Sequence, residues 1–342
     1  MPATPEYMNY PLDGVPEPGS TLTVADGVQW LRMPLPFMLG HINLWLLDDH
    51  DSQLALIDSG LNSDETQAHW RSLLLGKQVS RVIVTHMHPD HVGSAGWLCD
   101  EYDAPLSMSM AEYLMCRVLV ADTGQPAPAA GVAFYRAAGF SGDALQKYQD
   151  RFGMFGKAVS TLPNAYHRLK HDDVLTIGAS DWRVVTTSGH CPEHASLYNE
   201  RDNLFIAGDQ LLPTISSNVS VWPTEPEGDP LGFWLDSCRR LQRILDPEVL
   251  VLPSHGKPFT GAHGRLQALV DEHEDGLEKL RILCKTPQRA VDVFPALFKS
   301  KINDGNLIMA TGEALAHLNY LKHREDIVRT IDDDGVHWYA TR

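Results

Sequence analysis

Thr85–Leu98 reads THMHPDHVGSAGWL, directly after the apolar run Arg81–Val84 (RVIV), and the spacing of its polar residues decides how the rest of the chain is read. His86, His88, Asp90 and His91 fall within six residues. Imidazole nitrogen and carboxylate oxygen are the donors that borderline divalent cations accept. His86 and His88 lie two apart where a strand gives way to a loop, whereas Asp90 and His91 lie on the turn beyond, so each pair can face a separate ion. A catalytic ion needs about three protein donors and an open position. This segment provides two donors for each of two ions, and the remainder must come from elsewhere in the chain.

Three further candidates each follow an apolar run and a few small residues: His190 in TTSGHCPEH, Asp209 in LFIAGDQ and His255 in VLVLPSHGKPF. A single histidine at a strand end is more often structural than ligating. Three such residues in this order behind HxHxDH make two shared ion sites the better reading. Asp58 in LALIDSG also ends an apolar run. His194 follows His190 by four residues and is read as a supporting or substrate-contacting group. Cys191 is expected to point away from the metals, because neighbours on an extended backbone face opposite sides. Lys257 could attract an anionic substrate group or serve only as a surface charge. Ser216, Ser217 and Asn218 could contact substrate or form an internally bonded loop.

Around these residues the pattern alternates between strands and helices. Val24–Pro36 reads as two short strands about a turn, His41–Leu47 and Gln53–Ile57 as further strands, and Ser63–Leu75 as a helix opening at a Ser-Asp-Glu start. Pro89, Gly93 and Gly96 suit a loop leading into a short helix, with another strand near Pro105–Ser107. Ala111–Thr161 is rich in alanine and aromatics without strand alternation. It reads as a helical insertion broken at Gly124–Gly131, which either covers the site or packs on the sheet. The second half repeats the style, with strands at Val174–Ile177, Trp182–Thr186, Ala195–Tyr198, Asn203–Ile206 and Val249–Leu252 and a helix at Leu231–Ile244.

Strand–helix alternation twice over predicts an α/β fold of two mixed sheets faced by helices, a four-layer αββα sandwich. After Gly264 the expected order is a long helix to Cys284, a helical Pro287–Ser300, a helix at Thr311–Lys322, and a hairpin of Ile327–Ile331 and Val336–Tyr339. The expected division is a main domain over 1–262, with its insertion at about 111–161, and a small helical, winged-helix-like module over 263–342.

Bulk properties narrow the partners. With 28 Lys+Arg against 44 Asp+Glu, the 342-residue chain carries a formal charge of −16, which disfavours nucleic acid. The acidic run Asp332–Asp334 is a solvated turn. The five cysteines are odd in number and without CxxC pairing, which fits a reducing compartment. The N-terminal stretch has no basic-then-apolar signal pattern and nowhere do 18 apolar residues run together. A cytoplasmic location without membrane association is expected. Oligomeric state is not legible, and a homodimer is left open.

The ordered set of Asp58, HxHxDH, His190, Asp209 and His255 resembles the metallo-β-lactamase-fold hydrolase superfamily over roughly Val24 to Gly261. The resemblance implies that His86, His88 and His190 hold one metal, that Asp90, His91 and His255 hold a second, and that Asp209 bridges them. Asp58 would orient the ligand loop from behind. Aspartate at the bridging position is similar to the glyoxalase II branch and unlike the antibiotic-degrading enzymes. The module after Gly264 is loosely similar to extensions of lactamase-like thioesterases and endoribonucleases, and the runs GDQLLPTISSNVSVWPTEP and EALAHLNYL resemble a group of bacterial hydrolases in the superfamily. The implied cofactors are two divalent ions, zinc first, with iron or manganese suited to the same donors. The implied chemistry is hydroxide attack on the carbonyl of a small acyl thioester, carboxylic ester or lactone, with Asp90 carrying a proton to the leaving group. Three alternatives remain: an endoribonuclease or phosphodiesterase on the same metals, a non-haem iron oxygenase, and a binding module that has lost its metals.

Overall fold

The computed structural model describes residues 4–36 and 39–342. Its first sheet has seven strands in the order β1 (Thr21–Ala25), β2 (Val28–Pro34), β3 (His41–Asp48), β4 (Gln53–Ile57), β5 (Gln78–Ile83), β6 (Leu106–Ser109) and β7 (His167–Leu169). The pairing is antiparallel from β1 to β4 and parallel from β4 to β7. A second sheet runs β12 (Leu250–Pro253), β11 (Leu204–Gly208), β10 (His194–Asn199), β9 (Ser180–Thr187) and β8 (Val174–Ile177).

Strand β3 shows why the layers stack. Its successive side chains point to opposite faces, and both faces are apolar. Leu44 and Leu46 join the core beneath α1 (Asp64–Leu73) and α3 (Ala95–Tyr102), with Trp70, Leu98 and Val82. Trp45 and Leu47 point the other way, into the core shared with Trp182, Val184, Leu197 and Ile206 of the second sheet. The outer face of the second sheet buries Phe205 and Val251 against Trp234 of α7 (Pro230–Ile244), Leu266 and Leu277 of α8 (Ala262–Leu283), and Leu318 of α10 (Leu307–His323). Three cores between four layers form the predicted αββα sandwich.

The insertion forms α4 (Met110–Ala121), α5 (Ala129–Ala137) and α6 (Gly142–Arg151). Tyr113 of α4 packs in the core under the first sheet. Tyr135, Phe140 and Tyr148 pack on one another and against Val291, Leu307 and Ile308. These aromatics are packing residues that tie the insertion to the C-terminal part of the chain.

Two expectations need correction. Pro287–Ser300 is not one helix: it holds a short 3-10 turn at Ala290–Asp292 and the four-residue α9 (Phe294–Leu297), because Pro295 lacks the N–H that a continuous helix would need at that position. Strand β7 was not foreseen, since three residues, two of them exposed, carry no periodicity. The chain ends with the hairpin β13 (Ile327–Ile331) and β14 (His337–Thr341). Among the described residues no helix is long and apolar enough to cross a membrane.

Candidate metal centre

The loops after β4, β5, β9, β11 and β12 meet at one end of the sandwich. Beyond β5, His86 and His88 occupy a loop, and Pro89 opens the short α2 (Pro89–Val92) that carries Asp90 and His91. Proline suits this first helical position, where its missing N–H is not needed. Gly93 closes the turn where no side chain fits, since a Cβ there would stand 2.3 Å from the Pro89 carbonyl oxygen and 2.6 Å from that of Gly60. Ser59 fastens the turn from below by donating its hydroxyl to the His91 carbonyl at 2.6 Å.

The structure brings the sequence-predicted residues together in two sets: His86, His88, His190 and Asp209, and Asp90, His91 and His255. In the first, His86 Nε2 lies 2.8 Å from His88 Nδ1 and 3.3 Å from His190 Nε2, and Asp209 Oδ2 lies 3.5 Å from His190 Nε2. In the second, His255 Nε2 stands 3.4 Å from Asp90 Oδ2, and Asp90 Oδ2 is 3.8 Å from His91 Nε2. Asp209 Oδ1 is 3.4 Å from both His91 Nε2 and His255 Nε2. One carboxylate therefore offers an oxygen to each set.

The separations of 3.3–3.5 Å suit a shared cation. Donor atoms at the corners of a tetrahedron around an ion bound at about 2.0–2.1 Å stand about 3.4 Å apart. Moreover, His91 Nε2, His255 Nε2 and Asp209 Oδ1 are buried and make no hydrogen bond, an arrangement that costs free energy unless something compensates it.

The outward ring nitrogens of His86, His91, His190 and His255 are tied to oxygen, which favours one tautomer for each. His190 Nδ1 donates to the Asn218 carbonyl at 2.7 Å and His255 Nδ1 to the His41 carbonyl at 2.8 Å. His91 Nδ1 donates to Asp58 Oδ2 at 2.7 Å. Thr85 Oγ1 donates to Asp58 Oδ2 at 2.9 Å and accepts from His86 Nδ1 at 3.0 Å. Each lone pair is thus aimed inward. Asp58 does what the resemblance implied for it: from behind, it orients His91 directly and His86 through Thr85.

Electrostatics agree with this arrangement. Burial, followed by the neighbouring imidazoles His91 and His88, drives His86 well below the ordinary histidine range. For His91 burial acts in the same direction, yet Asp58, Asp209 and Asp90 outweigh it and raise the ring well above that range. A proton on His91 occupies the position that a divalent cation takes from it.

The remaining candidates separate clearly. His194 Nε2 accepts from the Asp209 backbone N–H at 3.2 Å, so it supports Asp209 and belongs to neither donor set. Gly208, at φ 54°, permits that contact, because a Cβ there would lie 2.3 Å from the ring. Cys191 is buried beside Glu112. Lys257 stands half-buried two residues beyond His255. The Ser216–Asn218 loop is bonded to the site on one side: Ser217 donates to the Asp209 carbonyl, and the Asn218 carbonyl holds His190.

Two supports escaped the sequence reading. Buried Glu112 accepts from the N–H of Met87 at 3.0 Å and of Glu193 at 2.8 Å, tying the His86–His88 loop to the loop after His190. Asn43 donates to the carbonyls of Pro253 and Gly256 and so braces the loop carrying His255. The available signal was one polar residue inside an otherwise apolar run, in MAEYLMC for Glu112 and HINLWLL for Asn43.

Residues 38–255 match the metallo-beta-lactamase superfamily. The chain belongs to that superfamily. Residues 277–342 match its metallo-beta-lactamase-like C-terminal domain. A beta-lactamase domain protein from Burkholderia ambifaria has a similar crystal structure, with 41% identity, TM-score 0.89 and 98% of each chain covered. The probable metallo-hydrolase YqjP of Bacillus subtilis is 26% identical over 90% of this chain and 96% of its own. A hydroxyacylglutathione hydrolase of Methylobacterium nodulans is 28% identical over 33% of this chain and 41% of its own length.

Proposed function

We propose that this superfamily member is a dinuclear metal-dependent hydrolase of a small thioester, carboxylic ester or lactone. His86, His88 and His190 would hold one divalent ion and Asp90, His91 and His255 the other, with Asp209 offering an oxygen to each set. The observation that carries this reading is Asp209, whose two oxygens face separate donor sets that include three buried atoms without partners. When bound, such ions supply a Lewis acid and lower the pKa of water from about 15.7 towards 7.

The chain's own residues do the rest. Asp58, Thr85, His41 and Asn218 keep the imidazole lone pairs aimed inward. Asp90 is the least enclosed carboxylate of the centre, its side chain 16% exposed against 12% for Asp209, and is the group placed to accept a proton from water and return it to a departing thiolate or alkoxide. Ile215 and Trp222 on the segment after Asp209, and Met309, whose carbonyl accepts from Ser220 of that segment, are exposed apolar side chains that an acyl group could use. The thioester choice is supported by aspartate at the bridging position and by the partial similarity to a hydroxyacylglutathione hydrolase. Zinc is the first choice of metal, and five buried unpaired thiols suit a reducing cytoplasm.

The test combines elemental analysis with a panel of acyl thioesters, lactones, aryl esters, single-stranded RNA and phosphodiesters. Two ions per chain and turnover of a thioester, ester or lactone are expected. A protein that holds no metal, or that cleaves only RNA or phosphodiesters, contradicts the proposal.

A further inference from the structure

Between Gly208 and Trp222 the chain forms neither helix nor strand, so its path is set by whatever it touches. On one side it touches the metal centre through the Asn218 carbonyl on His190 and the Ser217 hydroxyl on Asp209. On the other it is held by α8 and α10. Buried Arg265 donates to the carbonyls of Leu212 at 2.7 Å and Ile215 at 2.8 Å. Val221 N–H donates to the Gly312 carbonyl at 3.0 Å, and a Cβ on Gly312 would stand 2.7 Å from Ser220 Cβ, so this approach requires glycine.

At the centre of this contact the Asn218 side chain is fixed at both ends. Its Nδ2 donates to Glu313 Oε2 at 2.8 Å, and its Oδ1 accepts from Ser220 Oγ at 2.6 Å. Burial, opposed by the Asn218 amide and assisted by Glu272, pushes the Glu313 carboxyl up to about 7. Burying an ionisable group is costly, and the hydrogen bond this one makes is to the residue whose backbone holds His190.

We propose that Glu313 of α10 is a positioning residue for His190, acting through Asn218, so that the C-terminal helices form the outer support of the metal centre. The proposal rests on the metal reading above. His190 can lend its lone pair to an ion only while its Nδ1–H is held by the Asn218 carbonyl, and Glu313 determines where that carbonyl stands.

The experiment titrates zinc against a chromophoric chelator, and records the visible spectrum of the cobalt form, for the full-length protein and its Glu313→Ala and Glu313→Gln variants. Glu313→Ala should weaken one of the two ions by about tenfold or more and alter the cobalt spectrum, whereas Glu313→Gln, which keeps an acceptor for Asn218, should stay within about threefold of the parent. Parental affinity for both ions and a parental cobalt spectrum in Glu313→Ala would overturn the proposal, even if its melting temperature falls. Should Glu313→Ala not fold, Asn218→Ala cuts the same tie while retaining the backbone carbonyl, and the same two outcomes decide. A parent protein that holds no ion overturns the hydrolase reading and this one together, whereas two ions bound equally in all variants removes this one alone.

Discussion

The chain buries two clusters of histidine, and they differ in how their protons are placed. At the sandwich edge, His86, His91, His190 and His255 each give an outward N–H to oxygen, which turns their second nitrogens towards one another, His88 or Asp209, and those of His91 and His255 make no hydrogen bond. In the C-terminal helices, His317 Nδ1 donates to the Glu313 carbonyl at 2.8 Å, His273 Nδ1 donates to His317 Nε2 at 3.1 Å, and Ser216 Oγ faces His273 Nε2 at 3.4 Å. The His317 lone pair meets a donor there, and His273 Nε2 faces a hydroxyl. Burial alone therefore does not mark a metal centre. Inward lone pairs that nothing in the protein satisfies do mark one.

Removing a donor from the first cluster should have the largest effect. His88→Ala is expected to lose one ion and to lower kcat/KM on any substrate of the panel by more than about 100-fold, as read by elemental analysis and steady-state rates. A preserved rate would point to a contaminant. Asp58→Asn comes next, because an amide cannot accept from Thr85 N–H, Thr85 Oγ1 and His91 Nδ1 together. A loss of about 10- to 100-fold in metal affinity is expected, measured by chelator competition. The converse test is the His273→Gln/His317→Gln pair, which should lower the melting temperature by several degrees, on the order of 1–2 kcal/mol for a disturbed buried hydrogen-bond chain, while the ion count stays at the parental value.

The same pair should also produce a pH slope. Burial, then His317, holds His273 at about 3, and burial holds His317 at about 4. The unfolded chain, with histidines near their ordinary 6.5, takes up these protons first. Stability from the pair is present above about pH 6.5 and is lost as pH falls towards 4. The melting temperature of the parent should therefore drop more between pH 7 and pH 5 than that of the double variant. Equal slopes would mean that the pair is not held neutral.

The two clusters were not equally legible. HxHxDH, His190, Asp209 and His255 could be read because each follows an apolar run, and the apolar run HINLWLL was legible as a strand. Glu112, Asn43 and Glu313 could not be assigned roles, since the carbonyls and N–H groups they bind lie between 25 and 213 residues away along the chain. The sequence suggested an appendage after Gly264. That part of the chain shares a hydrophobic core with the sandwich, from Phe205 and Trp234 into Leu277 and Leu318, because α8 and α10 supply the outer layer of the second sheet. The aromatic insertion was ambiguous for a related reason: Phe and Tyr at helical spacing look alike whether they cover a site or, as here, pack on Val291 and Leu307.

Anomalous diffraction from crystals of the zinc-loaded protein, collected at the zinc edge, tests the account most directly. It should show two peaks, one among His86 Nε2, His88 Nδ1 and His190 Nε2 and one among Asp90, His91 and His255, with Asp209 touching both. No peak at these donors, or density only between His273 and His317, would contradict it.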